Sequence, residues 1–128
     1  EDIFFEVFKE EMKDWFYSFS QPYIDQNVVL HHFDRLQKNI LIKKLLPYMA
    51  LHLAQDTNEL NRFFHSHLEI LSQKLSKDMS KPAKHCKSKF LKTFVMVFGF
   101  MGAENLQLLN SASALSFDTL LQEIWNWS

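Results

Sequence analysis

The sequence predicts an all-α domain, a single globular helical bundle of five to seven helices around a buried central helix at about residues 83–101. Three observations predict this class. Apolar residues make up 47% of the 128 positions and include thirteen Phe, whereas only two Gly and three Pro are present. This composition lacks the turn residues of a sheet protein and the polarity of a disordered chain. In addition, nearly every window of the chain repeats its apolar residues at helical spacing.

The central helix is predicted from the most apolar window, residues 90–101. At 100° per residue, one face of this helix is shared by Phe90, Phe94, Val97 and Met101. From residue 93 onward, apolar residues also point in the other directions and no charge occurs. A helix that is apolar on all sides is expected to be buried on all sides. Gly102 is predicted to end the helix in a left-handed cap.

The chain before the central helix is predicted to form three helices. The first runs from about residue 2 to 19 and carries a stripe of aromatic side chains. The second runs from about residue 23 to 46, with Ser20 as its N-cap, and it stops or kinks before Pro47. Residues 48–55 are predicted to form a short helix or the far side of that kink. The third runs from about residue 59 to 79 after a capping cluster at 56–58. Its apolar stripe includes His67, which we interpret as a core or interface histidine with a hydrogen-bond partner.

After the central helix, the sequence predicts a short helical turn at 104–109 and a Ser/Ala stretch at 111–116. Ser116 is predicted to cap a last helix, whose apolar residues follow the i, i+3, i+4, i+7, i+8 series. These residues are Phe117, Leu120, Leu121, Ile124 and Trp125. We interpret residues 1–128 as one domain. Because the chain starts inside a helical pattern without an initiator Met, we expect it to be excised from a longer protein.

The charges are segregated along the chain, although the formal net charge is only −1. Residues 1–19 carry six acidic side chains against two lysines, and residues 35–92 carry twelve Lys or Arg against four acidic side chains. Between residues 74 and 92, seven lysines are opposed only by Asp78. They are Lys74, Lys77, Lys81, Lys84, Lys87, Lys89 and Lys92. Because these lysines flank the turn before the central helix, we predict that they gather as a basic patch at one end of the bundle.

Neither metal binding nor catalysis is indicated by the pattern of residues. Zinc-binding histidines on one helix are typically four residues apart, whereas His31 and His32 are adjacent and His65 and His67 are two apart. Cys86 lies among lysines that favour a lowered thiol pKa, but its surroundings are predicted to be solvated and no oxyanion-stabilising device is readable. We therefore predict that the protein is not an enzyme and uses no metal or cofactor.

The cysteine content and the N-terminus predict the compartment. A single cysteine cannot form an intrachain disulfide, which favours an intracellular protein of the cytoplasm or nucleus. The N-terminus is acidic and amphipathic, unlike a secretory signal peptide. The most apolar window is also shorter than the roughly 20 residues of a transmembrane helix. The triplet Asn126-Trp127-Ser128 matches a glycosylation sequon, but Trp127 is interpreted as core or interface material.

The first functional hypothesis is a protein–protein interaction domain that serves as an adaptor, a scaffold or an assembly module. The surplus of bulky apolar residues predicts an exposed apolar surface for an amphipathic helical segment of another protein. The basic patch predicts attraction to an acidic segment, and a homodimer is a further use of the same surface. The residues predicted to bind the partner are Lys77, Lys81, Lys84, Lys87, Lys89, Trp15, Tyr17 and Trp127.

Two alternatives of other classes remain open at this point. The lysines of residues 74–92 also suit a phosphate-directed binder of nucleic acid or of an anionic membrane. That run contains no Arg for bidentate contacts with bases, which makes nucleic acid the weaker interpretation. The size of the domain and its ends also fit a secreted helical-bundle cytokine.

Overall fold

A computed structural model describes residues 3–55, 57–105 and 116–127, apart from the side chains of residues 50–58 and 105. Within these ranges the chain forms six α-helices and no β-strand, which confirms the predicted all-α class. The helices are α1 (Ile3–Tyr17), α2 (Gln26–Gln37), α3 (Ile40–Gln55), α4 (Thr57–Met79), α5 (Ala83–Asn105) and α6 (Phe117–Ile124). No helix in these ranges has a stretch long and apolar enough to cross a membrane.

Helix α5 is the central helix of the bundle, and it packs against α2, α3, α4 and α6. Ring contacts also join it to α1, because the Trp15 ring lies 5.3 Å from that of Phe94. The face that the sequence predicts to be buried is buried along its whole length, at Phe90, Phe94, Val97 and Met101. The helix begins at residue 83, as predicted, but it continues to Asn105. Gly102 is therefore not a left-handed cap, and neither glycine has a positive φ.

The prediction that α5 is buried on all sides is wrong. Leu91 and Val95 lie one turn apart on one face of the helix, and 39% and 75% of their surfaces are exposed. Gly99 continues this exposed face by one further turn. The helices that surround α5 leave this strip open. The apolar character of a helix thus did not determine how many neighbouring helices cover it, and an apolar surface reaches solvent.

Aromatic side chains of α1 form much of the core. The sequence predicts a stripe of Phe4, Phe8, Met12, Trp15 and Phe19, widened by Phe5 and Phe16, and all of these are buried except Phe4. Phe5 is buried, whereas Phe4 is exposed and stacks on Tyr48 of α3, with ring centroids 4.2 Å apart. Farther along α1, the indole N–H of Trp15 donates to the carbonyl oxygen of His32 at 2.7 Å. This buried hydrogen bond joins α1 to α2 and satisfies the one polar group of the Trp15 side chain.

The predicted second helix is two helices, because the chain breaks at Lys38 and Asn39. The side-chain oxygen of Asn39 accepts a hydrogen bond from the Ile42 N–H at 3.0 Å. An Asn in this position satisfies a free N–H of the first turn and so starts a new helix. Residues 48–55 are helical, as predicted, and they continue α3, which does not end at Pro47 but runs through it to Gln55. Helix α3 packs against α1 and α5, and it buries Leu45 before the proline and Met49 after it, so tertiary packing stabilises the helix on both sides of Pro47.

The start of α2 also differs from the prediction, since its N-cap is Asp25 rather than Ser20. The Asp25 carboxylate accepts a hydrogen bond from the Val28 N–H at 3.0 Å. The residue before it, Ile24, is fully buried and donates its N–H to the Asp78 carboxylate at 2.9 Å. This contact with α4 holds residues 21–25 outside the helix. The hydrophobic periodicity of the sequence does not predict such a contact.

The turn between α4 and α5 brings the two helices side by side. Ser80 adopts a left-handed conformation with φ of 55°, and the Lys81 N–H donates to the Ser76 carbonyl oxygen at 3.2 Å. This arrangement closes the end of α4 as a Schellman motif. On α4 the prediction for His67 is confirmed, because its Nδ1 lies 2.8 Å from the Phe63 carbonyl oxygen and its ring stacks on Phe16.

The segment after α6 is held against α5 by two tryptophans. Ser116 caps α6 as predicted, since its hydroxyl accepts a hydrogen bond from the Thr119 N–H at 3.3 Å. Trp125 is fully buried, and its indole N–H donates to the Thr93 hydroxyl at 2.9 Å. Some predicted features lie outside the described residues. They are residues 106–109 of the predicted turn, the Ser/Ala positions 111–115, Asp56 of the capping cluster and Ser128 of the sequon.

Candidate functional site

A groove lined only by apolar side chains follows the exposed strip of α5. It lies where α5 meets α3 and α4, with one residue from α1, and its volume is about 370 Å³. We call this surface the apolar groove. Its lining consists of Phe8, Leu46, Met49, Leu60, Phe64, Leu68, Leu91, Phe94, Val95 and Phe98.

One end of the apolar groove is basic. Along α5, Lys84, Lys87, Leu91 and Val95 follow each other at intervals of three, four and four residues, so they share one face of the helix. The Lys87 Nζ pairs with Glu69 Oε2 of α4 at 3.0 Å, and this contact lowers the pKa of the Glu69 carboxyl. Lys84 is exposed and pairs with no acidic side chain among the described residues. The apolar strip of α5 therefore continues into two lysines.

The other lysines of residues 74–92 face different directions. Lys74 donates to the backbone carbonyl of Gln21, whereas Lys77 is exposed near the end of α4. Lys81 and Lys89 lie over the ring of Trp127, with their Nζ atoms 5.3 and 4.7 Å from its centroid. The lysines lie near one end of the bundle, but they are spread over several of its faces, and the single basic patch stays a prediction.

The three aromatic residues predicted to bind a partner differ widely in exposure. Trp15 is only 5% exposed, so it belongs to the core and its prediction as a binding residue is wrong. Its burial follows from the aromatic rings of α2 and α5 that enclose it. Tyr17 is 76% exposed and lines a separate pocket with Ile70 and Lys74. Its contact with a partner stays a prediction.

Trp127 has a role within the fold. It is partly buried, and its indole N–H donates to Gln26 Oε1 of α2 at 2.8 Å. Its ring also contacts Trp125 at a centroid distance of 6.1 Å. Trp127 thus fastens the C-terminal segment to α2 and α5, and only part of its surface remains available to another molecule.

The environment of Cys86 is opposite to the solvated one predicted. Its thiol is fully buried, and burial raises its pKa more than the nearby Lys89 and Lys81 lower it. A buried thiol with a raised pKa is a poor nucleophile. Among the residues that the structure describes, no three His, Cys, Asp or Glu side chains converge to hold a metal ion.

The sequence predicted an exposed apolar surface but not its position on α5. Val95 was assigned to the interior because it lies in the uncharged part of the most apolar window, from residue 93 onward. A signal was nevertheless present, since the residues one and two turns before Leu91 on the same face are Lys87 and Lys84. Lysines are almost never fully buried, so a helical face that begins with two of them is expected to meet solvent.

The fold and this surface define the class of the protein, an all-α bundle with an apolar groove beside its central helix. No protein-family model, no curated protein and no solved structure matches the chain. Its function is therefore inferred from the groove and from the charges beside it.

Proposed function

We propose that this domain is a non-enzymatic protein–protein interaction module whose apolar groove binds an amphipathic helix of another protein. The observation that carries the proposal is the exposure of Leu91 and Val95 within a lining of ten apolar side chains. Burying a Val or Leu side chain is worth roughly 1.5–3 kcal/mol relative to full exposure. A partner that covers this strip recovers part of that free energy.

The dimensions of the surface suit a helix. The line from Lys84 to Phe98 covers fifteen residues of α5, which is fourteen steps along the helix. At a rise of about 1.5 Å per residue this is roughly 21 Å, or four helical turns. A partner helix with apolar side chains at i, i+3 or i+4, and i+7 places one or two anchors in each half of such a groove.

The charges favour an acidic partner in one orientation. Acidic residues at one end of the helix would approach Lys84 and Lys87, where α5 begins. The pair between Lys87 and Glu69 is exposed to solvent, and exposed ion pairs contribute little to stability, so a carboxylate of the partner can replace Glu69. These two lysines steer and orient the partner, and the apolar contacts supply most of the affinity.

The alternatives draw less support from the described surfaces. The apolar groove itself gives no support to a phosphate-directed binder, because its lining is apolar throughout. The groove does not discriminate between an intracellular module and a secreted cytokine. Both the compartment and the cytokine alternative stay predictions.

The proposal is tested with a pair of designed peptides. Both form the same amphipathic helix with leucines on one face, and they carry either glutamates or lysines at one end of the polar face. Fluorescence anisotropy measures their binding to the purified domain. We expect saturable binding of the acidic peptide, weaker binding at high salt because surface charges are screened, and little binding of the basic peptide.

Two matched variants locate the binding surface. Val95→Asp places a charge in the apolar groove and is expected to lower the affinity for the acidic peptide at least about tenfold. Ile70→Asp makes the same change at a residue that is 72% exposed but lies outside the groove, and it is expected to leave the affinity unchanged. Equal losses in the two variants would contradict the proposal.

Light scattering examines a second copy of the chain as the occupant. We expect a monomer at micromolar concentration, because the proposed ligand is a helix of a different protein. A concentration-dependent dimer that Val95→Asp abolishes would overturn the proposal and assign the groove to self-association.

A further inference from the structure

A second pocket lies on a different face of α5, where the C-terminal segment packs against that helix. Its volume is about 260 Å³, and its lining consists of His85, Ser88, Lys89, Lys92, Asn126 and Trp127. The first four of these residues are spaced i, i+3, i+4 and i+7, so they share one face of α5. None of the six described lining residues carries a carboxylate, and two of them are lysines.

The position of Lys89 is fixed by the fold. Its Nζ donates to the carbonyl oxygens of Ile124 at 2.6 Å and of Asn126 at 3.1 Å. An ammonium group has three N–H donors, so one remains after these two bonds. The backbone carbonyls lie at the C-terminal end of α6 and offset part of the Lys89 charge, and the Trp127 ring, 4.7 Å from the same Nζ, competes with an anion for the remaining N–H.

Lys92 adds a second cation close to the first. It is exposed, and it forms no ion pair with any acidic side chain in the described ranges. Burial lowers the pKa of Lys89, and the charge of Lys92 lowers it further. The two ammonium groups repel each other and give the pocket a positive electrostatic potential. A bound anion would reduce this repulsion.

Trp127 closes the pocket on the side of the C-terminal segment. Its ring is covered by the ammonium group of Lys81 as well as that of Lys89. The acidic side chains of α6 nearest to this ring, Asp118 and Glu123, line a different cavity that Trp127 also borders. The positive charge of the pocket is therefore not balanced from within it.

We propose that this pocket binds a phosphate-type oxyanion, either inorganic phosphate or the phosphate monoester of a larger molecule. Lys89 and Lys92 supply charge-assisted hydrogen bonds, and the Ser88 hydroxyl supplies a neutral one. His85, which also lines the pocket, adds a further donor. The site shares no lining residue with the apolar groove, so the two proposals stand or fall separately.

Nuclear magnetic resonance titration with sodium phosphate tests the site, with sodium chloride used to keep the ionic strength constant. We expect saturable shifts at the Trp127 indole N–H and at the backbone amides of Ser88 and Lys92. Shifts that grow linearly without saturation, or that spread evenly over the exposed lysines of α4 and α5, would overturn the proposal.

A matched pair of variants separates a site from general attraction to positive charge. Lys92→Ala removes a charged side chain from the lining and is expected to lower the affinity for phosphate about tenfold, which is the effect of losing one charged hydrogen bond. Lys77→Ala removes the same charge from an exposed position outside the pocket and is expected to leave the affinity unchanged. Equal losses in the two variants would contradict a specific site.

The source of the phosphate is distinguished with vesicles of phosphatidylcholine that contain phosphatidic acid, whose headgroup is a phosphate monoester. Retention on these vesicles that Lys92→Ala abolishes and Lys77→Ala does not would assign the site to a lipid headgroup. Saturable binding of inorganic phosphate without retention would assign it to a soluble phosphate. The variant Val95→Asp is expected to leave both results unchanged, because it alters only the apolar groove.

Discussion

Replacing Phe94 with alanine tests whether the face of α5 that points to the core carries the stability of the bundle. Phe94 is buried, and its ring lies between 5.2 and 5.9 Å from five other aromatic rings, those of Trp15, Phe16, Phe33, Phe64 and Phe98. Truncation of a buried Phe costs about 3–5 kcal/mol. Pairs of aromatic rings add about 0.5–1.5 kcal/mol beyond their buried area, so we expect a loss in the upper half of that range.

This loss would be a large part of the total stability, because domains of ordinary size unfold with only about 5–15 kcal/mol. Urea unfolding followed by circular dichroism and by tryptophan fluorescence measures it, and the fluorescence also reports on Trp15 beside the removed ring. Val95→Ala is the control, since this neighbour is exposed and its truncation is expected to change the stability by no more than about 0.5 kcal/mol. A loss below about 1 kcal/mol for Phe94→Ala would refute the interpretation of this face as core.

Three further predictions concern single polar or strained positions. Burial, aided by the charge of Arg35, lowers the pKa of His32 below 6.5. The contribution of His32 to stability is therefore complete above pH 6.5 and is lost as the pH falls towards the folded-state pKa. Urea midpoints measured against pH should show this loss of stability, and the loss should be smaller in His32→Gln. Thr93→Val removes the acceptor of the buried indole N–H of Trp125 and should lower the free energy of unfolding by about 1–3 kcal/mol. Thr93→Ser should lower it less, because serine keeps the hydroxyl. Thermal unfolding compares the two variants, and equal stabilities would contradict this reasoning. Ser80→Gly should raise the stability by up to about 1 kcal/mol, because glycine adopts a positive φ without strain, and a lower melting temperature would speak against strain at this turn.

Local patterns in the sequence predicted the elements that depend on neighbours in the chain. The cap of α6 at Ser116 and the start of α5 are examples, because both depend on residues within one or two helical turns. The break before α3 was missed although Asn39 is a good N-cap. Its signal was weaker than the apolar period that continues across it from Phe33 to Ile40.

The candidate site was predicted only in part for the same reason. The sequence identified the lysines near the start of α5. It did not show that two of them lie on the face of the apolar groove and two lie beside the C-terminal segment, because this separation depends on which helices pack next to α5. Trp15 was assigned to a binding surface because composition alone cannot say which of many aromatic side chains the core accommodates.

By itself, the sequence determined that this chain is helical and that one face of its central helix is buried, because composition and a period of 3.6 residues are properties of the chain alone. The tertiary structure decided which apolar residues remain outside the core. Leu91 and Val95 are apolar like their buried neighbours Phe90 and Phe94, but no helix in the described part of the chain packs over them. Burial is a property of the neighbours that a residue meets in space, and those neighbours come from distant parts of the chain.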